Sequence, residues 1–560
     1  MSGIPVLIAG GGPVGLALAL ALERHGVEAM LVERNETTTR HPKMDITNGR
    51  SMELFRQLGV IDDLRAQAVP TDHDYSVIWC TRMEEWELAR FDYPSVDQAR
   101  KTLREENDGT MALEPGMRVS QVLLEPVLKK VLDDRCDHID VQFGWGLESF
   151  TQDEDGVTAQ LKSTATGEVK TVRADYLAGC DGAGSVTRRS LGIELSDLAP
   201  PNPETAAGVA AKGAPPVPKR RLYMIHFRSP EIERIERFGR AWHLQSPLGW
   251  SVIAQDDIDT WTIHMPVRPD EDPSTFDPEA KLFEALGCEI DCEILVANPW
   301  NPRLSLADSY GEGRVWMAGD SVHQVIPTGG YGMNTGIGDA VALGWALAGM
   351  LQGWGGAKLL EAYELERRHV GYRNREASHR HANLRADIRM SYDPVVHEDS
   401  AEGSAAREAL GNKIQTLGNL ENEAWGIEWG YRYDDSPIVC HEPEEATPPY
   451  SWEEYVPTSR PGGRVPNLFL DDGEPLFDKL GRGFSLIRFD DTSCDNLVAA
   501  ARRAGLPLQI VDICNDKAAG LFKRKLVLVR PDHHCAWRGD ADAANGEAAE
   551  QIIDTIRGAK

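Results

Sequence analysis

What this chain lacks narrows its possible roles before any motif is read. No apolar run approaches the roughly 18 residues that a helix needs to cross a bilayer. Residues 1–12 carry no basic flank and run straight into a strand-like segment and a glycine loop, so no signal peptide is expected. No C-x-x-C occurs, and the nine cysteines are scattered. The nearest pair, Cys288 and Cys292, has no second pair or histidine cluster beside it, so no metal site is predicted. Thiols used this way suit a reduced, cytoplasmic protein. Positive charge is also short: 59 Lys and Arg stand against 88 Asp and Glu, a net charge of -29. Such a surface repels phosphate backbones and anionic lipid, so neither nucleic acid nor a membrane is expected as a partner. What remains is a globular composition, 41% hydrophobic and 26% charged over 560 residues. At roughly 150 residues per domain, that length predicts about three domains.

The clearest motif lies at the amino terminus. Residues 4–9 form a short apolar run, the pattern of a fully buried parallel strand. It leads into Gly10-Gly11-Gly12-Pro13-Val14-Gly15, a G-x-G-x-x-G loop. Residues 16–25 then read as an Ala- and Leu-rich helix capped by Gly26, and residues 28–32 as a second strand ending at Glu33. Each part has a physical task. Gly10 permits the tight turn, Gly12 lets a pyrophosphate approach the backbone, and Gly15 lets helix and strand pack closely. Free N–H groups at the helix start attract the phosphates. Glu33 stands where an acceptor for ribose hydroxyls belongs. The loop alone fits NAD and FAD equally.

Two later stretches choose between them. Ala174-Asp175-Tyr176-Leu177-Ala178-Gly179-Cys180-Asp181-Gly182 is followed by Ser185 and Arg188. Gly313-Arg314-Val315-Trp316-Met317-Ala318-Gly319-Asp320 is followed by His323, Pro327 and Gly329-Gly330-Tyr331-Gly332-Met333-Asn334. In each, an apolar strand ends in small residues and an aspartate, and such strand ends face the ligand crevice of an α/β sheet.

With these three ordered motifs the chain resembles the single-component FAD-dependent aromatic hydroxylases, the family of phenol hydroxylase and para-hydroxybenzoate hydroxylase. The resemblance covers nearly the whole chain. It implies an α/β fold: a Rossmann-type FAD-binding domain over 1–190 and 301–390, with parts of the substrate sheet near 72–115. An inserted mixed sheet for substrate follows over 191–300, then a linker with helices over 391–460, and a thioredoxin-like domain over 461–560. For cofactors it implies FAD and NAD(P)H, with Asp181 and Gly182 where both pass and Asp320 on the FAD ribitol. Pro327 belongs to the same FAD loop. Backbone amides of Gly332, Met333 and Asn334 are expected at the flavin pyrimidine ring, where oriented dipoles stabilise negative charge. Arg50 and Gln121 match family positions that contact FAD phosphates and ribitol.

The activity so implied is hydroxylation of a phenolic ring with NAD(P)H and O2 through a flavin hydroperoxide. The cofactor carries that chemistry while the protein orients the ring and excludes water. A phenol becomes more nucleophilic as its hydroxyl loses its proton, so a general base is needed there. Asp45, five residues before Arg50, resembles the family aspartate that contacts the substrate hydroxyl; capping a helix or pairing with Arg50 are its structural alternatives. Trp242, His243 and Gln245 are the expected ring-binding residues, on one of three short strands predicted near 221–227, 242–245 and 261–266. His323 reads equally as a flavin neighbour and as a packed histidine.

The mixed-charge runs at 231–240 and 367–389 read as solvated helix faces. One or two helices are predicted over 357–390, and a Pro/Glu-rich stretch over 443–461. Alternating short strands and helices after 484 predict the small α/β domain, and the missing C-x-x-C leaves it a structural or dimer-contact role. A homodimer is the expected assembly. Two other readings stay open: a flavin-dependent halogenase, which would need a W-x-W-x-I-P motif not found here, and a flavin-binding interaction protein without turnover. Simple phenols, substituted phenols and polyketide rings all fit as substrate, and NADH fits as well as NADPH.

Overall fold

The apolar run at the amino terminus forms the strand Ile4–Ala9, at the centre of an eight-stranded sheet. In this computed structural model, which describes residues 3–197, 221–442 and 449–560, its parallel neighbours are Ala29–Glu33 and Val169–Gly179. Ile139–Phe143 and Val315–Met317 continue the sheet outward, also in parallel. The strand does not alternate because both of its faces are covered. Val6 and Ile8 pack in the large core that includes the helices Pro13–Arg24 and Tyr331–Gln352, while Leu7 and Ala9 pack against the hairpin Trp145–Asp153 and Gly156–Ser163.

The register brings the three motif-bearing strand ends side by side. Ala9 pairs with Gly179, and Gly179 with Met317. The glycine loop, the Asp181 loop and the Asp320 loop therefore leave the sheet together, at the carboxyl ends of neighbouring strands. Two positions of the turn after Ala9 tolerate no side chain: a Cβ on Gly15 would lie 1.9 Å from the Gly10 carbonyl oxygen, and Gly10 itself has φ +112°.

A second, seven-stranded sheet stands apart from the first. Its strands Arg221–Arg228 and Thr260–Val267 alternate strictly. Tyr223, Ile225 and Phe227, with Trp261, Ile263 and Met265, pack on one face in a core shared with the helix Pro278–Leu286. The opposite face carries Met224, Thr262 and His264, joined by Gln245 and Ser251 from His243–Gln245 and Ser251–Ala254. The strands Val77–Cys80 and Glu87–Phe91 complete the sheet. A buried ion pair, Arg118 Nη1 to Asp257 Oδ2 at 2.8 Å, ties it to the cofactor domain. Residues 198–220 of the expected substrate region, and 443–448 of the Pro/Glu-rich stretch, lie outside the described residues.

The region predicted as one or two helices is a single helix, Lys358–Met390. Its charges are not a solvated face. Arg367, Arg373 and Arg375 are buried. Arg367 donates through Nε to Asp339 at 2.8 Å, and Arg373 lies 3.8 Å above the Tyr450 ring. Partners from elsewhere in the fold let these cations leave water. The carboxy-terminal sheet runs Leu508–Asp512, Phe484–Arg488, Leu526–Val529, Cys535–Gly539, the first pair parallel and the others antiparallel. With the helices Asp495–Arg503 and Gly546–Ile556, this is the thioredoxin-like order. No helix among the described residues is long and apolar enough to cross a membrane.

Candidate active site

The three strand ends open onto a cavity of about 2630 Å³, whose far wall is the polar face of the seven-stranded sheet. Gly10, Gly12, Glu33, Gln121, Asp181, Asp320, Pro327, Gly332 and Met333 all line it. The Glu33 carboxylate accepts the Gly11 N–H at 2.8 Å, which fastens the glycine loop to the end of the second strand. Asp181 accepts the Val186 and Thr187 N–H groups through Oδ2 at 2.7 and 3.0 Å and so starts the helix Val186–Ser190. Its other oxygen is buried without a partner. Gln121 donates to Glu125 at 2.7 Å. The Asp320 carboxylate is open to the cavity and otherwise enclosed by protein, and this burial pushes its pKa up against the opposing influence of His323 and Lys43. Gly330, in the left-handed region at φ +66°, begins the long helix Tyr331–Gln352, whose unpaired first amides include those of Gly332 and Met333.

Asp45 sits on the cavity wall between the cofactor loops and the sheet. Its backbone is pinned: the Val119 N–H donates to the Asp45 carbonyl at 2.8 Å, and Ile46–Thr47 pairs with Met117–Arg118. Its carboxylate neither caps a helix nor pairs with Arg50. Asn48 caps the helix Gly49–Gln57, and Asp45 accepts the indole N–H of Trp242. Burial raises the Asp45 pKa, with the Trp242 hydrogen bond and the Arg118 charge working the other way.

Trp242, His243 and Gln245 also line the cavity, with the Trp242 and His243 rings 4.1 Å apart. Several buried polar atoms on this wall have no partner among the described residues: His243 Nε2, His264 Nδ1, Trp250 Nε1, Trp300 Nε1 and Asn298 Oδ1. Burial lowers both histidines, His243 well below its ordinary value and His264 to about 4, so each is neutral near pH 7. A wall of unpaired neutral donors and acceptors matches a ligand with several hydrogen-bonding groups.

Three expected cofactor residues do not reach the cavity. Arg50 is buried on the helix side, donating to the Asp532 carbonyl at 2.6 Å and pairing with Glu53 at 3.1 Å. It joins this helix to the carboxy-terminal domain. The Asn334 side chain ties the long helix to Ile46 and Asn48, and Gly15 serves packing alone. His323 is buried, its Nε2 2.7 Å from Asp339 Oδ2, and it does not line the cavity. Other wall residues were missed because they fall in stretches read as solvated helix or linker: Arg385, Arg389, Glu421, Trp425, Glu428 and Trp429. Exposed charge and linker composition look the same in sequence as charge and aromatics folded onto a distant cavity.

These residues fit a flavin dinucleotide. Nothing lies within 4 Å of the place a Gly12 Cβ would take, leaving room for a pyrophosphate against the backbone. The unpaired Asp181 oxygen and the cavity-facing Asp320 carboxylate offer acceptors for hydroxyl groups. Among the described residues no cluster of His, Cys, Asp and Glu could hold a metal ion.

Comparison with known proteins agrees. Residues 3–378 match the FAD binding domain family, and residues 458–559 match the aromatic-ring hydroxylase C-terminal family. The FAD-dependent monooxygenase apdD of Emericella nidulans is 37% identical, over 99% of this chain and 90% of its own. Phenol 2-monooxygenase of a Pseudomonas species is 29% identical over 99% of this chain and 92% of its own. Among solved structures, the rebeccamycin biosynthetic enzyme RebC with reduced flavin matches with a TM-score of 0.87 and 33% sequence identity, covering 100% of this chain and 99% of that one.

Proposed function

The chain belongs to the family of FAD-dependent monooxygenases, and from that premise we propose that it hydroxylates a phenolic aromatic ring with NAD(P)H and O2, using Asp45 as general base. The observation that carries this reading is the Asp45 carboxylate, held by the Trp242 indole on the wall of the cavity onto which all three cofactor loops open.

The chemistry FAD supplies when bound is acceptance of hydride and activation of O2 for transfer of one oxygen atom. Gly10, Gly12, Glu33, Asp181 and Asp320 would hold its nucleotide and ribitol parts, and the amides of Gly332 and Met333 its ring. The chain's own contribution to the reaction is then acid–base and positional. Asp45 accepts the proton of the ring hydroxyl, which raises electron density at the neighbouring ring carbons. Its raised pKa makes it a stronger base than an exposed carboxylate. Trp242 fixes the carboxylate's direction, and the unpaired groups of the sheet wall orient the ring. Enclosure keeps bulk water from the reacting atoms.

A panel of substituted phenols, scored for both NAD(P)H oxidation and hydroxylated product, tests the reading. Asp45→Asn should keep its FAD yet lose product formation by about 10²- to 10⁴-fold. Full activity in that variant removes Asp45 from the mechanism.

A further inference from the structure

One wall of the cavity comes from the turn at residues 421–429, well away in sequence from the substrate sheet. Trp425 and Trp429 stack there, ring centroids 6.0 Å apart and planes 18° from parallel. Trp429 is buried and donates to the Thr110 carbonyl at 3.4 Å. Its ring lies 3.4 Å from where a Gly49 Cβ would be, and Gly49 opens the helix that directly follows the Asp45 segment. Trp425 is 43% exposed and lines the cavity, leaving an indole available to a flat ligand.

Between these indoles in sequence, Glu428 also faces the cavity, and among the described residues its carboxyl has no hydrogen-bond or ion-pair partner. Its neighbours are already committed. Glu421 holds Arg385 through two contacts of 2.6 and 2.7 Å. Arg380 pairs with Glu453 at 2.8 Å, and the Tyr331 hydroxyl meets His381 at 3.0 Å. With no cation left to it, Glu428 is pushed up to about 8 by burial alone, and so carries its proton at neutral pH. A partly buried carboxyl without a partner is costly unless a ligand satisfies it.

We propose that Glu428 anchors a carbonyl oxygen on a flat, multi-ring aromatic substrate whose far ring rests on the Trp425–Trp429 pair while its phenolic ring meets Asp45. This rests on the hydroxylase reading above and adds to it a substrate class and a specificity-determining residue. The neutral carboxyl donates its O–H to the carbonyl. Once ionised it can only accept, and it repels the same oxygen.

Two matched tricyclic phenols test this: 2-hydroxyfluorenone, which has a ring ketone, and 2-hydroxyfluorene, which lacks it. Their dissociation constants are read from the flavin absorbance of the FAD-loaded protein. The effect of pH on Asp45 is shared by both probes; the ketone makes its phenol the more acidic, so each phenol is titrated free in solution and the ratio is taken between dissociation constants for the neutral phenols. The expected result is an about five- to tenfold preference for the ketone near pH 7, disappearing above about pH 9. Glu428→Gln should keep the preference and lose its pH dependence, because an amide N–H donates without titrating. Glu428→Leu should show no preference at any pH while binding 2-hydroxyfluorene within about twofold of wild type. A wild-type protein without the preference, or a Leu variant that retains it, overturns the proposal. Product is assayed in parallel: preference without hydroxylated product leaves the anchor standing and removes the hydroxylase reading, and product without preference does the reverse.

Discussion

The indole N–H of Trp242, on the seven-stranded sheet, donates to the carboxylate of Asp45, which lies beside the cofactor loops. One hydrogen bond thus joins the ring-binding wall to the expected base, and it opposes the rise in proton affinity that burial gives that base.

Trp242→Phe removes a donor that stabilises the ionised carboxylate. The Asp45 pKa, already raised by burial, should rise further. The base works only when ionised, so activity falls as pH drops through its pKa. Losing the Trp242 donor should therefore move the acid limb of the pH–rate profile to higher pH, with FAD content unchanged. An unmoved limb would uncouple the two residues.

Asp320→Ala removes the carboxylate expected on the FAD ribitol. Loss of a charge-assisted hydrogen bond of about 1.5–3 kcal/mol should weaken FAD binding by about 10- to 150-fold. Titration of the apoprotein with FAD, followed by flavin fluorescence, reads this directly.

Behind that loop, Asp339 accepts the Gly319 N–H at 3.1 Å, His323 at 2.7 Å and Arg367 at 2.8 Å. Burial alone would raise its pKa, but the Arg367 and His323 partners hold it below the ordinary carboxylate value. Because the folded value is the lower one, Asp339 adds stability that is fully present above its unfolded pKa of about 3.9 and is lost as pH falls through the folded value. Arg367→Met strands a buried carboxylate and should cost about 3–5 kcal/mol in urea unfolding at pH 7. The deficit relative to wild type should shrink under strongly acidic conditions.

Arg50 joins the helix Gly49–Gln57 to Asp532 and His533 of the carboxy-terminal domain. Arg50→Met should lower the Tm by several degrees while changing the affinity for FAD little. A large loss of FAD affinity in a stably folded variant would restore Arg50 to the phosphate site.

Much of this site was legible in sequence because its cofactor half is built from local patterns. A strand ending in glycine or aspartate reports its own geometry, and Gly10, Asp181 and Asp320 needed only the parallel register of Ala9, Gly179 and Met317 to meet. On the substrate wall, Met224 and His264 were not singled out in sequence, because their face becomes distinct only when the antiparallel register is formed. What stayed hidden depends on distant partners. Arg367 reads as a surface charge until Asp339 is folded beneath it. The contact of Arg50 with the Asp532 carbonyl was hidden for the same reason: Asp532 lies at the other end of the chain. Glu428 lies in a stretch whose composition marks a linker, and no local signal shows that it turns into the cavity.

The most direct test of the account is turnover of a phenol under ¹⁸O₂ with NAD(P)H, followed by mass spectrometry of the product. One ¹⁸O atom entering the ring per NAD(P)H consumed is the predicted result. NAD(P)H oxidation that yields only labelled hydrogen peroxide across a broad phenol panel, or product oxygen drawn from water, would contradict it.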